Sequence, residues 1–165
     1  MLVAEVDRCA SRRARRSVVT IMTTVENANT ELVRAIFDRM ARGDMRALGE
    51  AMADDFAWTF PGDWSWAGTW APKTVVLHEM LRPLMAQFSS YRLEADSILG
   101  DGDRVVVQAR GHGVTKRGAA YDQTYCMIFR VAYGRLVEVV EYCDTALVER
   151  VLEPIGPPPG APRGE

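Results

Sequence analysis

The sequence has little of what most metal and cofactor chemistry requires. Three cysteines (Cys9, Cys126, Cys143) and two histidines (His78, His112) are scattered over 165 residues. They form no Cys-x-x-Cys and no Cys/His cluster, so a structural zinc site is not expected. No glycine-rich phosphate loop and no Ser or Cys nucleophile signature occurs, which points away from nucleotide-dependent and acyl-transfer chemistry. We expect neither a metal nor an organic cofactor. No apolar run reaches the length of a membrane span. Val18-Val-Thr-Ile-Met22 follows Arg12-Arg13-Ala-Arg15-Arg16, but it is too short for the apolar core of a signal sequence. A positive balance is missing too: the chain carries −2, with +3 in residues 1–21 and −4 in residues 22–152. A domain of that sign has no footprint for nucleic acid. The odd cysteine count suits a reducing compartment, so the expectation is a cytoplasmic protein with no nucleic-acid or membrane partner.

What is present is an ordinary globular composition, 48% hydrophobic and 25% charged, enough for one domain with a substantial core. Residues 1–21 read as a flexible basic arm, with Met22 a candidate start. Residues 22–152 form the domain, and the Pro/Gly-rich residues 153–165 read as an extended, mobile tail. Thr23-Thr-Val-Glu26 has capping-box spacing and opens a helix from about Thr24 to Arg42, with Leu32, Val33, Ile36, Phe37 and Met40 on one face. A short helix over Met45–Met52 precedes the alternating strand Phe56–Phe60, which Pro61-Gly62 ends. The loop Asp63–Trp70 holds Trp64, Trp66 and Trp70. A helix follows, with Pro72 in its first turn and a kink expected at Pro83. Tyr91–Leu99, Arg104–Thr115, Tyr121–Ala132 and Arg135–Asp144 read as four long strands, and Thr145–Leu152 as a closing helix. Helices followed by an antiparallel meander make an α+β fold. Strands this long twist and bend, so a strongly curved sheet should wrap the helices and enclose a pocket.

This pattern resembles the nuclear transport factor 2-like superfamily, and most nearly its SnoaL-like polyketide cyclase branch, which is related to limonene epoxide hydrolase and ketosteroid isomerase. The residues that carry the resemblance are the Gly43-Asp44 turn, Ala53-Asp-Asp-Phe56, Pro61-Gly62, the helix after the tryptophan loop, and Gly134-Arg135 through Glu141-Tyr-Cys-Asp144. It covers residues 23–152. It implies a cone-shaped α+β barrel with a deep apolar pocket, and pairing as a homodimer through the sheet. This fold hosts many activities and also proteins that are not enzymes. Ketosteroid isomerase uses an aspartate immediately before the proline that ends the first strand. Phe60 stands there in this chain, and Met127 stands near the position of the isomerase's second aspartate, so that apparatus is not expected. Limonene epoxide hydrolase carries an Arg-x-Asp pair and a last-strand aspartate. Arg110-Gly-His112 and Asp144 stand in those places, whereas Trp70-Ala-Pro-Lys73 departs from the cyclases' turn before the pivot helix.

Arg110 and His112 project from the same face of one strand. Convergence of both with Asp144 on the cavity would give a proton-transfer site: Asp144 or His112 as acid/base, Arg110 stabilising an oxyanion. Each residue has a plainer use: Asp144 as a helix cap, Arg110 in a surface pair with Glu141 or Asp144. Gly111 and Gly113 beside His112 read as a bulge or a close approach. Trp58, Trp66, Trp70, Tyr125, Met127, Tyr142 and Phe37 are candidate contacts for a small apolar ligand; the rings would equally serve to fill the core or a subunit contact. The expected function is a cofactor-independent acid/base enzyme acting on a small apolar oxygenated molecule. The alternatives are a hydrophobic ligand-binding protein and a dimerising structural module.

Overall fold

The structure, a computed structural model, describes residues 28–159. The basic arm 1–21, Cys9, the capping box Thr23–Glu26 and residues 160–165 lie outside the described residues.

Helix α1, residues 28–41, lays Val33, Ile36, Phe37 and Met40 into the core, as their spacing requires. Arg39 then ties the following turn to α2 (Arg46–Ala51) by pairing with both Asp44 and Glu50. Strand β1 spans Met52–Phe60 and starts directly where α2 stops. It is longer than Phe56–Phe60 because its first half carries the exposed Asp54-Asp55 pair, which resembles a loop in sequence. The tryptophan loop ends in a short strand, β2 (Gly68–Trp70), antiparallel to β1 with Trp58 opposite Trp70.

The next helix, α3, runs through Lys73–Val75, a wider turn at Val76–Leu81 and Arg82–Met85. In the wide turn the Arg82 amide reaches back to the Leu77 carbonyl, a spacing of five residues. Pro83 lacks an amide hydrogen and its ring crowds the carbonyl four residues before it; widening the turn relieves both effects without ending the helix.

Strands β3 (Phe88–Asp101), β4 (Arg104–Thr115), β5 (Ala120–Ala132) and β6 (Arg135–Cys143) form the meander. The sheet order is β2-β1-β6-β5-β4-β3, antiparallel except for the β1–β6 pair. The hairpin between β5 and β6 turns at Tyr133-Gly134, both with positive φ (52° and 69°). Gly tolerates that conformation freely, and two such residues match the twist of the flanking strands. Register shifts in β3 at Phe88/Ser90 and Ala95/Ser97, and between β5 and β6 at Arg130/Val131, bend the sheet. The result is an α+β fold, a curved six-stranded sheet with the helices on its concave side. No helix among the described residues is long and apolar enough to cross a membrane.

Helix α4 (Thr145–Val151) follows β6. The chain beyond it touches the domain at Glu153 and Pro158. Glu153 exchanges two backbone hydrogen bonds with the Gln87 side chain, at 2.7 and 3.0 Å. Arg117 pairs with the Glu153 carboxylate and donates to the Val151 carbonyl. Pro158 is buried against Gly68. Cys126 and Cys143 sit on neighbouring strands as expected but on opposite faces, since Cys126 stands opposite Tyr142 and Cys143 opposite Tyr125; both are free thiols.

Candidate functional site

Alternation along each strand decides what the cavity sees. On β4, Val105, Val107, Ala109, Gly111 and Gly113 point inward, and Arg104, Gln108 and Arg110 point out. On β5, Tyr121, Gln123, Tyr125, Met127 and Phe129 point inward. On β6 the inward set is Val139, Glu141 and Cys143.

Between this concave face and helices α2–α4 lies a cavity of about 60 Å3. That is room for roughly four to six waters, or a ligand of about one six-membered ring. Its wall is mostly aromatic and aliphatic, with Trp58, Phe60, Trp64 and Trp66 on one side and Phe88, Tyr91, Tyr121 and Tyr125 on the other. Trp64 and Trp66 stack at 6.2 Å, and Trp64 is fixed by donating its indole N–H to the Pro61 carbonyl at 2.9 Å. Among the lining residues, none is Lys, Arg or His.

Among the described residues one carboxylic acid, Glu141, faces this space. Glu141 is 7% exposed, and burial pushes its carboxyl up to about 8. The Trp58 indole N–H lies near enough to favour the carboxylate, yet it forms no hydrogen bond of full geometry. Three tyrosines share the cavity. The Tyr91 and Tyr125 hydroxyls meet at 2.8 Å, and burial raises the pKa of both. Burial likewise pushes Tyr121 up to about 12, opposed by a hydrogen bond from Gln123. The Cys143 thiol, also raised to about 12 by burial, is a poor nucleophile there.

The glycines of β4 make this arrangement possible. A methyl group at Gly111 would stand 2.5 Å from the Tyr91 hydroxyl and 3.0 Å from the Tyr125 ring. At Gly113 it would meet Phe88 at 2.9 Å and Tyr91 at 3.0 Å. The strand pairing is regular through both positions, so the glycines mark a close approach of rings rather than a bulge.

The structure does not bring Arg110, His112 and Asp144 together, which corrects the expected convergence. Arg110 and His112 do share a face, but it is the outer one. Arg110 forms a two-pronged pair with Asp96, at 2.6 and 2.9 Å, that holds the Asp96 carboxyl below its ordinary range. His112 Nδ1 meets Asp122 at 3.0 Å. Asp144 caps α4, its carboxylate accepting from the Leu147 amide at 3.1 Å. Of the expected ligand contacts, Trp58, Trp66, Tyr125 and Met127 line the cavity. Trp70 is buried on β2 opposite Trp58, Phe37 packs edge-to-face on Phe129 beneath α1, and Tyr142 is half exposed on the outer face; none of these three is among the cavity-lining residues. Sequence reasoning passed over Glu141, Tyr91 and Tyr121. The signal for Glu141 was its parity with Val139 and Cys143.

Residues 33–139 match the SnoaL-like domain. The chain belongs to the SnoaL-like family. The match stops two residues before Glu141, so membership does not extend to that side chain. An uncharacterized protein of Mycobacterium tuberculosis, Rv0034, is 26% identical to this SnoaL-like chain over 75% of it and 95% of the relative. An NTF2-like protein of unknown function from Burkholderia pseudomallei superposes with a TM-score of 0.65 at 24% identity, covering 76% of this chain and 97% of the other. TerC, crystallised with polyporic acid, superposes with a TM-score of 0.63 at 20% identity, covering 75% and 97%. At these identities the two solved structures speak for the fold.

Proposed function

We propose that this SnoaL-like protein is an acid/base enzyme acting on a small, apolar, oxygenated molecule, with Glu141 as the group that moves the proton. The observation that carries the reading is a buried acid, without an ion-pair partner among the described residues, in an otherwise apolar cavity beside a row of tyrosine hydroxyls. A carboxyl near 8 exchanges its proton close to neutral pH, where a general acid or base is most useful. In the Tyr91–Tyr125 pair one hydroxyl donates to the other, which leaves one proton to donate to a ligand oxygen. Glu141 takes a proton from a carbon beside a carbonyl, the hydroxyl stabilises the resulting enolate oxygen, and the proton returns from Glu141 to carbon or oxygen. Isomerisation, aldol-type cyclisation and dehydration all begin with that step. The absence of a cation in the wall makes an anionic substrate unsuited to the cavity. TerC, with its polyporic acid, is a neighbour in which this fold meets a small organic molecule.

A second reading, a binding protein without catalysis, is favoured by the same carboxyl being mostly neutral at pH 7. Deuterium exchange alpha to the carbonyl of one-ring ketones such as cyclohexanone, followed by NMR, separates the two. An enzyme accelerates exchange, and Glu141→Gln lowers the rate by about 10²–10⁴-fold. Binding by the wild type with no exchange would leave the binding protein, and exchange untouched by Glu141→Gln would remove Glu141 from the reaction.

A further inference from the structure

We infer that Gln123 is a positioning residue: it fixes the proton of Tyr121 so that this hydroxyl donates into the cavity. The inference rests on the reading of the cavity as the site of proton transfer.

Gln123 lies behind the wall, 1% exposed, and its amide has one possible orientation. One end of the amide faces the backbone amides of Thr124 and Asp144, each at 2.9 Å. Backbone N–H groups only donate, so that end is the oxygen. The nitrogen therefore faces the other way, where it donates to the Asp144 carbonyl at 2.9 Å and to the Tyr121 hydroxyl at 3.3 Å. Both donors and both acceptor positions of the amide are then filled. An alternative flip would set two N–H groups against two N–H groups.

The consequence falls on Tyr121. Its oxygen accepts from Gln123, so its own proton must point elsewhere. Tyr121 lines the cavity, so the open space lies on its free side. Without Gln123, Tyr121 could rotate its proton toward the protein. With it, a hydroxyl proton is held available before any ligand arrives, and the reorganisation is avoided at the reacting moment. Asp144 enters through its backbone: its N–H and C=O lock the amide that orients Tyr121, while its carboxylate caps α4.

The test uses Gln123→Glu, which keeps an oxygen toward the Thr124 and Asp144 amides but loses the donor to the Asp144 carbonyl and the donor to Tyr121, so the Tyr121 oxygen no longer accepts and its proton is free to turn from the cavity. Cyclohexanone and its isosteric hydrocarbon methylenecyclohexane are the probes, with binding read from the fluorescence of the cavity tryptophans. Gln123→Glu is expected to weaken cyclohexanone by about 3–10-fold, the loss of one hydrogen bond, and to leave methylenecyclohexane unchanged. Tyr121→Phe should reproduce the loss, and the double variant should add nothing further. Equal weakening of both probes, or an additive double variant, would assign Gln123 to the scaffold and overturn the inference. Should Gln123→Glu fail to fold, the wild type with cyclohexanone bound decides by NMR of the Tyr121 hydroxyl proton. Contacts from that proton to the ketone support the assignment, and a bound ketone without them overturns it. Failure of the wild type to bind either probe would overturn the inference together with the cavity as its site.

Discussion

Replacing Glu141 by Gln should flatten the dependence of stability on pH, and the sign follows from the burial of the acid. In the unfolded chain its carboxyl titrates near 4.5, and in the folded protein near 8. Below the first value both states hold the proton and nothing is lost. Between the two values the unfolded chain gives up its proton while the folded protein keeps it, so stability falls as pH rises, by up to about 1.4 kcal/mol per pH unit. Above the second value the loss is complete. The gap sets a ceiling of roughly 5 kcal/mol, and a few kcal/mol is expected where cavity water reaches the carboxyl. Glutamine has the same shape and never ionises. Urea unfolding of both proteins from about pH 5 to about pH 9 measures the difference. The variant should match the wild type at the acid end and exceed it progressively toward the alkaline end. Parallel stability curves would refute a buried, unpaired Glu141, and with it the proton-transfer reading.

Trp58→Phe removes the N–H that favours the carboxylate, so the acid-side limb of the pH–rate profile for ketone exchange, where the rate rises as Glu141 ionises, should move to higher pH; an unmoved limb would detach Trp58 from Glu141. Gly111→Ala should cost about 1–3 kcal/mol in urea unfolding by displacing Tyr91 and Tyr125, whereas Arg110→Ala, one residue away on the outer face, should leave the urea midpoint nearly unchanged. Asp144→Ala should lower stability by about 1 kcal/mol and Asp144→Asn by less, with ketone exchange retained in both, because the side chain serves as a cap. His112→Ala should leave cavity binding and exchange unchanged in the same assays.

Most of the architecture was legible because it rests on period and punctuation. The stripe from Val33 to Met40 specified α1, and the turns at Gly102, Gly118 and Gly134 separated four strands whose limits lie within a few residues of the expected ones. Two elements were missed for a common reason. Asp54-Asp55 and Gly68-Thr-Trp70 belong to strands that are short or exposed, where pairing with a neighbour rather than alternation decides the conformation. At the site, parity was read correctly and the face was not. Arg110 and His112 do lie together, but polar side chains two apart on a half-buried strand mark its solvent side unless their intervening neighbours are polar as well. Those neighbours, Ala109, Gly111 and Gly113, are small and apolar, and they face the core. Glu141 was hidden by the converse habit, since a glutamate late in a strand is ordinarily a surface residue.

The distribution of charge over the sheet makes the same distinction without reference to sequence order. On the outer face the charged groups occur in partnered sets: Arg110 with Asp96, His112 with Asp122, and Arg130 with Glu138 at 3.0 Å. Each is satisfied by its neighbour and has little left to offer a ligand. On the inner face Glu141 has only the nearby Trp58 indole N–H, and β4 withholds side chains at Gly111 and Gly113 so that tyrosine rings can reach across. Packing alone does not account for that pair of features, because an apolar side chain at 141 would be easier to bury and larger residues at 111 and 113 would fill the wall without hydroxyls. An incomplete acid and a set of hydroxyls brought to the same small space become chemically complete when a ligand supplies a proton to take and an oxygen to hold. In this sheet, the group without a partner is therefore a better guide to function than the cluster of groups that already have one.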